Sequence, residues 1–300
     1  MYVRMNEKVA GTKTSIVPKV IIYILLVALL IAIVVPVAWV FMASIKQNTE
    51  FYGNPFALPQ GVYLQNFVDA WTKARMGDYF FYSVMITALS LFILLLVALP
   101  ASYVLSRYRF WGSKVLNTCF MAGLFINVSY IVVPIFLMFV SGDKVVKSIF
   151  GSTFFLNNPF VVSVVLASTT LPFTIYLLSG YLATLPKDYE EAAYVDGAGY
   201  FTTMVRIILP MAKPSIITVI LFEFLAYWNE YIISMTMLTD PNGARTLPVG
   251  LLNLMKAQNA KAEYGQMYAG MVMVMLPTLI LYMCVQKKLT QGMTLGGLKG

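Results

Sequence analysis

Residues 20–45 carry no charged side chain and are apolar almost throughout. About 20 such residues cross the hydrocarbon core of a bilayer, so the stretch constrains the chain to a membrane-spanning helix. It follows a tail bearing Arg4, Lys8, Lys13 and Lys19. A signal peptide has an apolar region of about 7–15 residues, so this longer run reads as a retained anchor.

The pattern recurs along the chain. Charged residues make up 11% of the sequence and hydrophobic residues 59%, against about 25% charged in soluble domains. Charged boundaries and the Asn157-Asn158-Pro159 break place six spans at about 20–45, 79–106, 115–140, 160–182, 214–238 and 266–285. The expectation is an all-α membrane protein with six transmembrane helices over 20–285, tails at 1–19 and 286–300, and a charged loop at 186–213. Pro36, Pro100, Pro134, Pro172 and Pro277 fall inside spans. Each removes a backbone donor, whose freed carbonyl needs a partner inside the protein or in a wet path. They read as packing kinks or as joints of a bundle that rearranges. No inverted internal repeat of the secondary-transporter kind is visible.

Loop charges orient the bundle. With the amino terminus inside, thirteen of the 21 Lys and Arg residues lie on the cytoplasmic side, the bias that topology follows. Both termini and the 186–213 loop are then cytoplasmic. The net charge of +8 is dispersed around the spans, so it marks topology and not a nucleic-acid surface. The chain has no histidine, and Cys119 and Cys284 sit far apart in apolar runs. No metal site is indicated, and both thiols read as small buried hydrophobes.

A charged, helix-forming insert inside so apolar a chain adds nothing to membrane stability. Pro186 ends the fourth span, and Asp188 is placed to cap a helix, with Glu191 three residues on completing a capping-box pattern. Glu190 and Glu191 suit the positive end of the helix dipole. Ala192 and Ala193 keep one side thin for another protein's backbone, and Gly197 after Asp196 suits a left-handed terminator. About two turns of helix would lie across the membrane face. A lipid-bound amphipathic helix is the bland alternative, yet such helices favour Lys and Arg. Phe201–Leu209 is apolar but for Arg206, Leu209-Pro210 breaks it, and Pro214 suits the first turn of the fifth span.

Glu223 and Glu230 are the clear charges within the fifth span. A carboxylate at mid-bilayer costs on the order of 2.5–3.5 kcal/mol, so each should face the interior or water. Seven residues apart on one helix, they are expected on one face, about 10 Å from each other. Asn229 adds amide groups, and Tyr227 and Trp228 add rings. Such a set suits a hydroxyl-rich solute. Equally, Glu230 and Asn229 can hydrogen-bond to a neighbouring span and touch no solute. Trp39, Tyr79, Tyr82 and Trp111 sit near span ends, where aromatic residues anchor at the interface. Outside, Pro241-Asn242-Gly243 signals a turn before Thr246-Leu247-Pro248-Val249-Gly250.

The spacing Glu191-Ala192-Ala193, three residues, Gly197, nine residues, Ile207, one residue, Leu209-Pro210 resembles the cytoplasmic signature of permease subunits of bacterial ATP-binding-cassette importers. Phe224–Tyr231, with its Trp-Asn-acidic-aromatic order, resembles the carbohydrate-type branch and the maltose transporter's shorter permease. So do Tyr103–Phe110 and the tail Gly292–Gly300, where Leu295-Gly296-Gly297 replaces the usual Ala-Gly-Ala. The resemblance implies the ABC-importer permease fold with a cytoplasmic coupling helix in the bacterial cytoplasmic membrane. Glu190, Glu191, Ala192, Ala193, Asp196, Gly197, Ile207, Leu209 and Pro210 would couple to the ATPase. Tyr227, Trp228, Asn229, Glu230 and Glu223 would line the carbohydrate path.

By the same resemblance Thr246, Leu247, Pro248, Val249 and Gly250 would probe an extracellular or periplasmic solute-binding protein, with Lys46–Asp78 also available to it. The partners implied are a second permease, two ATPase subunits and that binding protein. The sequence has no Gly-x-x-x-x-Gly-Lys-Ser/Thr loop, so no cofactor is expected on this chain, and ATP and Mg belong to the ATPase. The chain is then not an enzyme. The rival reading is a proton-coupled secondary transporter using Glu223 or Glu230.

Overall fold

A computed structural model describes the backbone of residues 16–297 and the side chains of residues 18–257 and 262–286. Most of the expected tail 1–19, and residues 298–300, lie outside the described residues. All regular structure among the described residues is helical: α1 Ile16–Ser44, α2 Thr49–Gly53, α3 Gln65–Thr72, α4 Met76–Arg107, α5 Ser113–Gly123, α6 Val128–Phe150 and α7 Pro159–Thr184. There follow α8 Asp188–Val195, α9 Tyr200–Thr203, a π-type stretch Met204–Ile208, α10 Leu209–Met211 and α11 Lys213–Trp228. The chain closes with α12 Ile232–Met237, α13 Leu247–Lys261 and α14 Tyr264–Gly297. Five of these helices are long and apolar enough to cross a membrane, six if the pair Tyr200–Met211 and Lys213–Trp228, bent by 75°, counts as one span.

The centre of the bundle is the packing of α4 along α7. Ile86, Leu94 and Ala98 of α4 meet Val162, Leu166, Ile175 and Leu178 of α7, with Val219 of α11 and Ile233 of α12 alongside. Thr87, Ser90 and Ser102 on α4 and Ser163 on α7 are buried in this seam. Lipid gives no hydrophobic drive for helix association, so small side chains that let backbones approach do the work. In contrast, α1 leaves Val20–Val35 largely exposed.

Two expected spans are interrupted. The third, placed at 115–140, is broken: α5 stops at Gly123 and α6 starts afresh at Val128. A Cβ on Gly123 would lie 2.8 Å from Pro172 Cγ of α7, so the chain passes close there. Asn127 then caps α6 by accepting the Ser129 N–H at 2.9 Å. Asp143, expected as the outer boundary of that span, lies inside α6, and its carboxylate accepts the N–H groups of Phe154, Phe155 and Leu156 at 2.7–2.9 Å. The fifth, placed at 214–238, leaves the helix at Asn229 and resumes as α12. Cys119 and Cys284, expected buried, are both exposed on the chain's surface.

Candidate functional site

Helix α8 is the charged insert. Its first residue is Asp188 and its N-cap is Lys187, with no side-chain cap bond. The capping box expected from Asp188 and Glu191 is therefore not formed: Asp188 sits one position too far into the helix to act as its cap. At the other end Gly197 takes φ +81°. Its N–H donates to Tyr194 O at 3.0 Å and the Ala198 N–H to Ala193 O at 2.9 Å. That is a Schellman closure with glycine at its left-handed position.

The signature residues divide between two sides of this helix. Glu190 and Ala193 are buried against the chain's own helices, whereas Glu191, Ala192, Asp196 and Gly197 are exposed. Ala193 is thus not part of a thin side open to another protein. Its small size serves packing within the chain.

Glu190 is held by Arg107, the last residue of α4, whose Nε lies 3.3 Å from Glu190 Oε1. The contact is electrostatic, without hydrogen-bond alignment. Arg107 Nη1 also donates to Leu185 O at 2.9 Å, in the link between α7 and α8. Tyrosines tighten the junction. Tyr108 and Tyr194 share a hydrogen bond at 2.8 Å, and Tyr103, Tyr108 and Tyr200 rings pack with centroids 5.3–5.8 Å apart. Burial pushes the Tyr108 phenol up to about 12, so it stays protonated and able to donate. From the sequence, Arg107 reads only as one of the charges bordering the second span. The signal that could have found it was Tyr103–Phe110, a segment already notable for its order of residues.

Beyond α8 the chain dives inward. Met204 and Ile208 of the π-type stretch pack with Tyr103, Leu182 and Ala212, while Ile207 and Leu209 flank that cluster and Pro210 stays exposed. Wide π turns are uncommon and concentrate at functional positions. The structure thus brings Glu190, Ala193, Ile207 and Leu209 into one inner junction, directly beneath α4 and α7.

The fifth-span residues do not share one face. Glu223 is buried, and its Oε1 accepts from the Thr174 hydroxyl of α7 at 3.1 Å. Glu230 lies past the helix end and caps α12, accepting the Ile233 N–H at 2.6 Å and the Ser234 N–H at 3.1 Å. The expected common face fails because the backbone leaves the helix between the two carboxylates. Asn229 folds back, its amide donating to Leu225 O at 2.8 Å. Trp228 is 2% exposed, stacks on Phe224, and donates its indole N–H to Val274 O of α14 at 3.1 Å. It anchors helices and is not in the wall of the cavity beside Tyr227. Tyr227, bonded to the Thr170 hydroxyl, is itself buried but borders that cavity. The cavity of about 260 Å³ is walled by Thr169, Thr170, Tyr227, Asn229, Glu230 and Tyr231, among others.

On the far side, Thr246–Gly250 form the start of α13 and not an exposed loop. Thr246, Leu247, Val249 and Gly250 are buried. The Leu247 N–H donates to Ser83 Oγ at 2.7 Å, and a Cβ on Gly250 would fall 2.1 Å from the Tyr79 ring. These residues are too apolar and too tightly seated on α4 to serve as the expected docking surface. What is exposed there is the turn Thr239-Asp240-Pro241-Asn242. A polar hollow of about 290 Å³ also opens here, with Gln47, Asn48, Tyr63, Asn66 and Asp69 in its wall.

Residues 98–295 match the family described as binding-protein-dependent transport system inner membrane component. Among curated relatives, the diacetylchitobiose uptake system permease protein NgcG of Streptomyces coelicolor is 30% identical over 272 residues, covering 91% of this chain and 86% of that one. The trehalose/maltose transport system permease protein MalG of Thermococcus litoralis is 29% identical, covering 93% and 97%. Among solved structures, a chain of a bacterial ABC transporter involved in the import of the acidic polysaccharide alginate superposes with a TM-score of 0.72. It is 21% identical and covers 90% of this chain and 96% of that one. That likeness concerns the fold.

Proposed function

This chain belongs to the family of binding-protein-dependent transport system inner membrane components, and from that premise we propose that it forms half of the path through which an ATP-binding-cassette importer admits a carbohydrate. The carbohydrate reading rests on relatives named for diacetylchitobiose and for trehalose and maltose uptake. A second, related permease supplies the other half. Two ATPase subunits carry ATP and Mg, and a solute-binding protein delivers the cargo outside.

The observation that carries this reading is the arrangement of α8. Its outer side, Glu191, Ala192 and Asp196, is exposed, while its inner side is pinned through Glu190 to Arg107 at the end of a span. A short rigid helix so held passes a push from a docked ATPase into α4 and, through the junction at Ile207–Leu209, into α11. Closure of the ATP-loaded dimer turns the bundle outward, and hydrolysis resets it. Tyr231, Thr170 and Asn229 offer ring, hydroxyl and amide groups to a sugar passing the 260 Å³ cavity, with the buried Tyr227 behind them. Outside, Pro241, Asn242 and the polar hollow along Lys46–Asp78 offer the exposed surface for the binding protein. This reading places both termini and α8 in the cytoplasm.

Mild-detergent purification of the tagged chain from its host tests the proposal. Recovery of an ABC ATPase and a second permease supports it. Recovery of this chain alone, under conditions that preserve a known importer, overturns it. The proton-coupled alternative is disfavoured by membership of the binding-protein-dependent family, and Glu230 in addition spends its carboxylate on the start of α12.

A further inference from the structure

We propose that the hollow at the foot of α5 binds the phosphate headgroup of an anionic phospholipid, in the leaflet where α4 ends. A cavity of about 660 Å³ opens there, walled by Tyr108, Arg109, Phe110, Trp111, Lys114 and Val115 among its residues. That is within the size range of small-molecule sites. No carboxylate lines it. Arg109 and Lys114 are exposed, and neither has an acidic partner in the ion pairs found among the described residues. Two unpaired cations in one hollow suit a phosphate, Arg through its planar fork and Lys as a mobile point charge.

The aromatic content and position point to lipid as the source of that phosphate. Trp111 is 99% exposed and touches almost nothing in its own chain, and Phe110 is 42% exposed. Both follow directly on the end of a span, where aromatic rings belong at headgroup level. Helix α5 packs one side on α7 and leaves Val115 and Leu116 exposed at 66% and 45%. Val115 is in both the hollow's wall and that apolar face. The hollow therefore opens at the surface that meets acyl chains. Basic clusters beside span ends draw anionic lipid in the same way.

The test is native mass spectrometry of the delipidated full-length protein, titrated with phosphatidylglycerol or phosphatidylcholine. The wild type should retain one phosphatidylglycerol about tenfold more readily than phosphatidylcholine. Arg109→Gln with Lys114→Gln should erase that preference, and Arg109→Lys should keep much of it. As a second measurement, brominated phosphatidylglycerol in nanodiscs should quench a fluorescence component that Trp111→Phe removes, and brominated phosphatidylcholine should quench it less. Equal quenching by the two lipids would refute the site even if the double variant failed to fold. Unchanged lipid preference in a folded double variant would also refute it, as would displacement of the lipid by millimolar inorganic phosphate. Loss of a co-purifying protein with lipid binding unchanged would assign the hollow to a protein contact instead.

Discussion

Arg107 Nε and Glu190 Oε1 stand 3.3 Å apart with 3% and 10% of their side chains exposed, joining the end of the long span α4 to the short helix α8 that follows α7. A charge pair so placed is a rigid tie as long as both members are present. Removing one leaves the other buried without compensation, at about 3–5 kcal/mol. Arg107→Gln and Glu190→Gln should each loosen α8 and cut ATP-driven uptake strongly, while the exchange Arg107→Glu with Glu190→Arg recovers part of it. Proteolysis within 186–213 alongside uptake would check this. Wild-type protection and uptake in both single variants would remove the tie from the coupling route.

Gly197 sits at φ +81° with open space where a Cβ would go. The penalty for replacing it is therefore conformational, about 1–2 kcal/mol for an ordinary residue. Uptake should fall in the order Gly, Asn, Ala, Val, because Asn tolerates the left-handed region and a β-branched residue does not. Gly197→Asp adds charge at the exposed end and should abolish uptake in an assembled complex. A Val variant as active as an Asn variant would show that the Schellman closure is not what matters.

Tyr227 and Trp228 are neighbours with different duties. Tyr227→Phe removes a hydroxyl bonded to Thr170 at the cavity wall and should shift the KM for uptake, with a stability loss of about 1 kcal/mol for the lost bond. Trp228→Phe breaks the bond to Val274 O and should lower stability by about 1 kcal/mol with KM unchanged. Uptake kinetics of both variants separate the two, and reversed effects on KM would exchange their roles.

Gly250 is filled from outside by the Tyr79 ring, 2.1 Å from the position of an added Cβ. Gly250→Ala should destabilise by about 1–3 kcal/mol through overpacking, while Asn242→Ala on the exposed turn should leave the melting temperature unchanged. Equal melting temperatures for the two variants would return Thr246–Gly250 to the surface.

Glu230→Gln keeps an acceptor for the N–H groups that open α12, so it should cost no more than about 2 kcal/mol and leave ATP-driven transport intact. Transport by the assembled importer should also survive collapse of the proton gradient. Loss of uptake in Glu230→Gln with normal assembly would revive the proton-coupled reading.

Much of this architecture is legible in the chain itself because bilayer-length apolar runs and their charged borders are strong signals. The α8 segment and its glycine terminator are readable for the same reason: a left-handed closure needs glycine, and few other residues can stand there. Contacts between distant segments are harder. Nothing in the spacing of Arg107 and Glu190 announces that they meet, and an arginine beside a span end has an adequate explanation in topology. Glu223 and Glu230 misled because seven residues imply one face only while the helix lasts, and the exit at Asn229 carries no glycine or proline to mark it. Thr246–Gly250 misled in the opposite way. An apolar stretch outside the membrane reads as a contact surface, whereas here it fills the chain's own interior.

The 75° corner before α11 makes that helix a crank. Its 16 residues give an arm of about 24 Å, with the corner at one end and Tyr227 and Trp228 at the other. Any turn about the corner is magnified along the arm, so about 10° at the inner face becomes about 4 Å at the tyrosine, more than the diameter of a water molecule. The indole of Trp228, fastened to α14, marks where such a swing has to be shared with the next span or stopped.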